Sequence, residues 1–282
     1  MIINEAINFA EQELKKTNNL NSRLDSEILV SHLINIPREN IYSKLKEDLQ
    51  LDKVEKLKQL VNRRANKEPI AYILNNKEFW STNFYVDRSV LIPRPETEVL
   101  IDLLLSKISN KNKYLDVLDI GTGSGCILIS LLKELTKARG VGVDKSSKAI
   151  AIAKKNSFSN KIHNRICFKN ISLEQINFDK KFDIIVSNPP YLSNVSLKNL
   201  DFDIRLYEPK VALQGGVQGV DLLNKIIYLA SKILKINGLL ALEIGDNQFH
   251  ILAKYLKENR FKILKKYTLI NKQVRCLLAT KL

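Results

Sequence analysis

Phe182-Asp183-Ile184-Ile185-Val186-Ser187-Asn188-Pro189-Pro190-Tyr191 is the stretch from which the rest of the chain can be read. Its first half is a short apolar run of the kind that forms a buried strand. Its second half is polar and stiff, and it falls at the carboxyl end of that strand, where open α/β sheets bind ligands. Each proline fixes φ near about −65° and removes a backbone donor. Asn188, standing before a proline, is pushed out of the helical region. The Asn188 side-chain oxygen and the Pro189 carbonyl are then two acceptors close together. Such a pair suits a planar NH₂ group, and Tyr191 is placed to stack on the same plane.

Around this stretch strands and helices alternate. Strands are expected over 114–120, 140–144, 165–168, 182–187 and 238–244. Helices are expected over 123–135, 146–157 with Ser146 as N-cap, 219–235 and 248–259. Two last strands, 261–269 and 273–279, have only a short break between them and pair as an antiparallel hairpin. The fold class is therefore α/β, a doubly wound and mostly parallel sheet.

The amino-terminal part differs. Residues 3–67 contain no glycine and carry apolar residues at helical spacing. Helices are expected over the series Ile2, Ala6, Phe9, Ala10 and Leu14, from Ser22 to Pro37 with Leu24, Ile28, Leu29, Leu33 and Ile34 on its apolar face, near Glu39–Lys46, and from Asp52 onward. This makes a small bundle. Residues 77–92 change to aromatic and β-branched types broken at 81–83 and 87–89, which reads as a β-hairpin between two domains. Pro93 and Pro95 then rigidify the start of a helix through Val99, Leu100, Leu103 and Leu104. The expected division is 1–75 helical domain, 76–93 hairpin linker and 94–282 α/β domain.

Composition narrows the classes of function. No run approaches the ~18 apolar residues of a membrane span, and the first residues lack the basic-then-apolar pattern of a signal peptide. Cys126, Cys167 and Cys276, with the three histidines His32, His163 and His250, are scattered without metal spacing. They read as a protein without a metal site, with reduced, buried thiols, in the cytoplasm. The net charge of +15 is compatible with a nucleic-acid partner. It is, however, spread along the chain as lysine-rich bias rather than gathered into a patch.

Asp119-Ile120-Gly121-Thr122-Gly123-Ser124-Gly125 follows the first strand and opens a helix. Glycines here let backbone approach a ligand at which helix N–H groups point. Their alternate spacing differs from the dinucleotide fingerprint, and nothing in it demands a pyrophosphate. Asp119 would repel a phosphate and attract a cation, so a ligand with an amino group and a sulfonium suits the turn better. Asp144, at the end of the second strand, is placed to accept from both hydroxyls of a ribose.

These features together resemble the Rossmann-like, S-adenosylmethionine-dependent class I methyltransferases. Glu68-Pro69-Ile70-Ala71-Tyr72-Ile73, Glu78-Phe79-Trp80, Leu91-Ile92-Pro93-Arg94-Pro95-Glu96-Thr97-Glu98, Asn188-Pro189-Pro190-Tyr191 and Glu208-Pro209-Lys210-Val211-Ala212-Leu213 further resemble the HemK-type release factor glutamine methyltransferases over nearly the whole chain. The resemblance implies S-adenosyl-L-methionine as cofactor, held by Gly121, Thr122, Gly123, Ser124, Gly125, Asp144, Ile171 and Asn188. It implies as substrate the Gly-Gly-Gln glutamine of class 1 translation release factors, methylated on its amide nitrogen and held by Asn188, Pro189, Pro190 and Tyr191. Asn170 and Ile171 stand where the family carries an acidic and an aromatic residue beside the adenine. The protein is expected to act as a monomer without membrane or nucleic-acid partner. Asn-Pro-Pro-Tyr also occurs in amino methyltransferases of nucleic-acid bases, which leaves a base, or a ribosomal-protein glutamine, as the alternative acceptor.

Overall fold

The structure is a computed structural model that describes residues 1–193, 196–197, 199–216 and 219–282. The chain divides into two compact units. One comprises residues 1–76 with 201–207, the other 77–200 with 208–282.

The smaller unit is helical: α1 (Ile3–Lys15), α2 (Ser22–Ile34), a 3₁₀ helix Arg38–Lys44, α3 (Leu51–Ala65) and α4 (Ile70–Leu74), with the short α8 (Phe202–Tyr207). Ile3, Ile7, Leu14, Leu29, Leu57 and Val61 form its core. The start of α2 at Ser22 agrees with its sequence pattern, but its buried face does not. Leu24 is exposed, while Asp25, Ser26 and Glu27 are buried. The reason is ion pairing. Asp25 receives Arg64 Nε at 2.7 Å, and Glu27 receives Arg23, Arg38 and the Tyr42 hydroxyl. Buried carboxylates are tolerated when paired in this way. The Tyr207 hydroxyl of α8 donates to the Asn66 carbonyl at 2.8 Å.

The larger unit opens with a hairpin, β1 (Lys77–Phe79) and β2 (Thr82–Phe84). The expected break at 81–83 is displaced. The turn is Trp80-Ser81, both at φ 50°, as a type I′ turn requires. Phe79 and Phe84 are buried in the core of this unit, and the irregular segment that follows runs to α5 (Pro95–Leu105). Pro95 stands at the first turn of α5, where its missing N–H costs nothing.

Then come β3 (Asp116–Ile120), α6 (Cys126–Glu134), β4 (Arg139–Asp144), α7 (Ser147–Ser159), β5 (Ile166–Asn170), β6 (Phe182–Ser187), α9 (Asp221–Ile233), β7 (Leu234–Glu243), α10 (Phe249–Glu258), β8 (Phe261–Thr268) and β9 (Val274–Lys281). Seven strands form one sheet in the order β5-β4-β3-β6-β7-β9-β8. The first five are parallel, and β9 pairs antiparallel with both β7 and β8. Along β6, Ile184 and Val186 enter the core beneath α5 and α6, while Ile185 enters the core beneath α9 and α10. Burial on both faces explains the apolar run Ile184–Val186, since each such side chain contributes about 1.5–3 kcal/mol. Ser146 caps α7 as expected, accepting from Ala149 N. Cys126 and Cys276 are buried, whereas Cys167 is exposed. It lies on edge strand β5, so the reading of three buried thiols is corrected there. No helix of the described residues is long and apolar enough to cross a membrane.

Candidate active site

Because β3 lies between β4 and β6, its end is flanked by the ends of both. Ile120 pairs with Val143 on one side and with Ser187 on the other. The glycine turn, Asp144 and Asn188 therefore meet at the point where strand order reverses, the place such sheets bind ligands. A single cleft is lined there by Gly121, Thr122, Gly123, Ser124, Asp144, Ile171, Asn188, Pro189 and Pro190.

The turn is held from β4. Gly121 N and Thr122 N both donate to the Val143 carbonyl. Gly123 N donates to Asp144 Oδ2 at 3.0 Å, and Ser146 N to Asp144 Oδ1 at 2.9 Å. Each carboxylate oxygen keeps a further lone pair. A Cβ on Gly121 would meet nothing within 4 Å, so the backbone at this corner is open to a ligand. Gly125 differs. It does not line the cleft, and a Cβ there would sit 3.1 Å from Ile129 and 3.3 Å from Ala153. Its place is set by close packing of α6 on α7.

Asp119 also departs from expectation. It is fully buried, receives the Thr122 hydroxyl at 2.7 Å, and does not line the cleft. Burial raises its pKa to about 7. Its effect on the turn passes through Thr122 and not through a charge facing the ligand. Asn170 likewise points away, its Nδ2 donating to the Asp144 carbonyl, and leaves Ile171 to line the cleft.

On the other side, the Ser187 hydroxyl ties β6 to the Ile120 carbonyl at 2.6 Å. Asn188 Nδ2 donates to Thr97 Oγ1 at 3.0 Å. Among the described residues no hydrogen bond reaches Asn188 Oδ1 or the Pro189 carbonyl. Tyr191 does not line the cleft. Its hydroxyl donates to Glu243 Oε1 at 2.9 Å, Gln248 Nε2 donates to its carbonyl, and Arg275 lies 5.4 Å from its ring. Where stacking on a flat substrate was expected, the structure shows the Tyr191 hydroxyl engaged behind Asn188, on Glu243. Gly215 permits the 210–216 segment to approach this corner, since a Cβ there would lie 2.6 Å from the Pro190 carbonyl.

Four further residues enter the site. Arg94, which lines the cleft, is paired with buried Glu208, which also receives Ile92 N. This pair joins two segments quoted above for their family likeness alone. Thr97 and Glu243 back Asn188, Thr97 Oγ1 donating to Glu243 Oε2 at 2.6 Å. A signal for Glu243 was present in the sequence: it is the one charge closing the apolar run Leu239–Leu242, on the strand neighbouring β6.

The sheet order, the terminal antiparallel hairpin and this cleft define a class I methyltransferase, a class whose catalysis depends on S-adenosylmethionine. Residues 97–199 match the methyltransferase small domain, and residues 5–74 match the PrmC N-terminal domain. The chain is 39% identical over 228 residues to a release factor glutamine methyltransferase of Geobacter sulfurreducens, covering 81% of this chain and 78% of that protein. It is 34% identical over 259 residues to one of Clostridium acetobutylicum, covering 91% and 90%. The chain belongs to the release factor glutamine methyltransferase family. It also matches a bifunctional methyltransferase of Rickettsia typhi at 36% identity over 264 residues, and covers 87% of this chain but about half of that protein, 51%. A methyltransferase from Pyrococcus furiosus shares the fold, with TM-score 0.53, 16% identity, and coverage of 80% of this chain and 98% of that one.

Proposed function

We propose that this protein transfers a methyl group from S-adenosyl-L-methionine to the side-chain amide nitrogen of the Gly-Gly-Gln glutamine in class 1 translation release factors. The single observation that carries the reading is the state of Asn188. Its Nδ2 is engaged by Thr97, while its Oδ1 and the Pro189 carbonyl have no hydrogen bond among the described residues. Two unengaged acceptors beside a cofactor-sized cleft fit a flat amide NH₂. The names of the relatives point to the same substrate.

The cleft suits the cofactor. The free lone pairs of Asp144 match ribose hydroxyls, the open corner at Gly121 admits close approach, and Ile171 offers an apolar wall to a base. When bound, the cofactor supplies a methyl group activated by a sulfonium. A carboxamide nitrogen is a poor nucleophile, so the contribution of the protein is alignment more than base strength. Asn188 Oδ1 and the Pro189 carbonyl accept the two amide hydrogens and turn the nitrogen into the cleft. As the N–C bond forms and the bond from sulfonium to methyl breaks, leaving a neutral thioether, positive charge passes to that nitrogen, and the same two oxygens stabilise it. The nitrogen then gives one proton to water. Tyr191 acts from behind, by holding Glu243.

The helical unit would grip the body of the release factor, because one glutamine on a mobile loop offers little binding energy. The test of the active-site reading is Asn188→Ala. It should keep the fold and, at saturating cofactor, lose nearly all single-turnover methylation. An unchanged single-turnover rate would remove the role given to Asn188.

A further inference from the structure

Behind Asn188 runs a chain of hydrogen bonds that no ligand contact accounts for. Glu243, at the carboxyl end of β7, is buried and accepts two hydroxyls, Thr97 Oγ1 at 2.6 Å and Tyr191 Oη at 2.9 Å. Thr97 in turn stands 3.0 Å from Asn188 Nδ2. Chemistry fixes the direction of this chain. A carboxylate only accepts, so the Thr97 hydroxyl must point its one proton at Glu243. The threonine oxygen is then available to Asn188 only as an acceptor. An acceptor selects the NH₂ end of the asparagine amide, and Oδ1 is left facing the cleft.

We propose that Glu243, acting through the Thr97 hydroxyl, holds the Asn188 amide in the one orientation that presents an acceptor to the substrate. The two ends of an asparagine amide are nearly equal in size, so packing alone selects between them weakly. Turned over, Asn188 would set N–H donors against the NH₂ group of the substrate. Burial, with the neighbouring Glu96, raises the pKa of Glu243, and the two hydroxyls and the charge of Arg275 oppose that rise; in the structure both hydroxyls donate to its carboxylate oxygens. Glu243 is thus a positioning residue. The arrangement also sets specificity: an outward acceptor demands a donor, so a glutamate carboxylate in place of glutamine finds no partner. The inference rests on the reading of Asn188 Oδ1 as the receiver of a substrate amide hydrogen.

Three variants of the full chain test it. Thr97→Val keeps the shape and removes the hydroxyl. Glu243→Gln also keeps the shape, but its NH₂ can donate to Thr97, which frees the threonine proton to turn Asn188 over. Thr97→Ser keeps the hydroxyl. Loss of one directed hydrogen bond near the reacting atoms predicts a fall in kcat of about 10-fold or more for Thr97→Val and Glu243→Gln. The KM for cofactor should stay within about twofold, and Thr97→Ser should recover most of the rate. In ¹⁵N spectra of the protein without substrate, the Asn188 side-chain amide protons should exchange faster in Thr97→Val than in wild type. Unchanged kcat in both Thr97→Val and Glu243→Gln would overturn the relay, as would a Thr97→Ser loss equal to that of Thr97→Val. Asn188→Ala separates the two levels. If it is inactive while the relay variants are fully active, only the relay fails. If it is itself fully active, the reading beneath the relay fails too.

Discussion

The backbone N–H of Gly123 lies 3.0 Å from Asp144 Oδ2, so the tip of the glycine turn is fastened to the end of the neighbouring strand. The other oxygen of the same carboxylate takes Ser146 N at the start of α7. One side chain thus shapes the turn, positions a helix and offers its remaining lone pairs to the cleft. Asp144→Asn is nearly isosteric but keeps only one acceptor oxygen, and one of the two backbone donors would face an NH₂ group. A hydrogen bond to a charged group contributes about 1.5–3 kcal/mol. Cofactor affinity measured by calorimetry should therefore fall about 10- to 100-fold with the fold retained. Wild-type affinity in this variant would remove Asp144 from the site.

Gly121 and Gly125 belong to one motif but are predicted to fail differently. Gly121 has φ 75° and open space where a Cβ would be, so Gly121→Ala should cost about 1–2 kcal/mol of stability and obstruct the cleft. Gly125 has φ 81° and a Cβ would press on Ile129 and Ala153. Gly125→Ala adds an overpacking cost of about 1–3 kcal/mol to the backbone strain. Thermal melting and cofactor titration of both variants check this. The account expects the larger loss of stability at Gly125, and the larger loss of affinity per degree of destabilisation at Gly121.

Asp119 makes a pH prediction. Its folded pKa, pushed up to about 7 by burial, lies above the ordinary carboxylate value of 3.8. The unfolded chain therefore releases this proton first as pH rises. The favourable contribution of neutral Asp119 is complete below about pH 4, declines through the interval, and is lost above about pH 7. At about 1.4 kcal/mol per pH unit, the effect is on the order of a few kcal/mol. Melting temperatures of wild type and Asp119→Asn should diverge between pH 5 and 8, roughly the upper part of this interval, with the variant gaining on wild type as pH rises. Parallel curves would contradict the buried, proton-holding state of Asp119.

Much of this was legible in sequence where a local pattern carries the signal. Ile184–Val186 of β6 are apolar because both faces of the strand are covered, and the strand's limits, Phe182–Ser187, are those the sequence suggested. Ser146 caps its helix through a bond only three residues long. What was hidden depends on partners distant in the chain. The polar buried face of α2 is paid for by Arg64, 39 residues from Asp25. The hairpin turn falls on Trp80, which sits at positive φ where glycine or asparagine is usual. Trp80 N and Nε1 are held there by Glu98 and Glu134. The motif Asn188–Tyr191 announced a site, but only the fold placed Tyr191 on Glu243 and turned Asn188 Nδ2 onto Thr97.

The most direct measurement of the central claim is methyl incorporation from labelled S-adenosyl-L-methionine into a purified class 1 release factor, compared with the same factor carrying Gln→Ala in its Gly-Gly-Gln loop. The account predicts label in the wild-type factor and none in the variant. Equal labelling of both, or of neither, would contradict it.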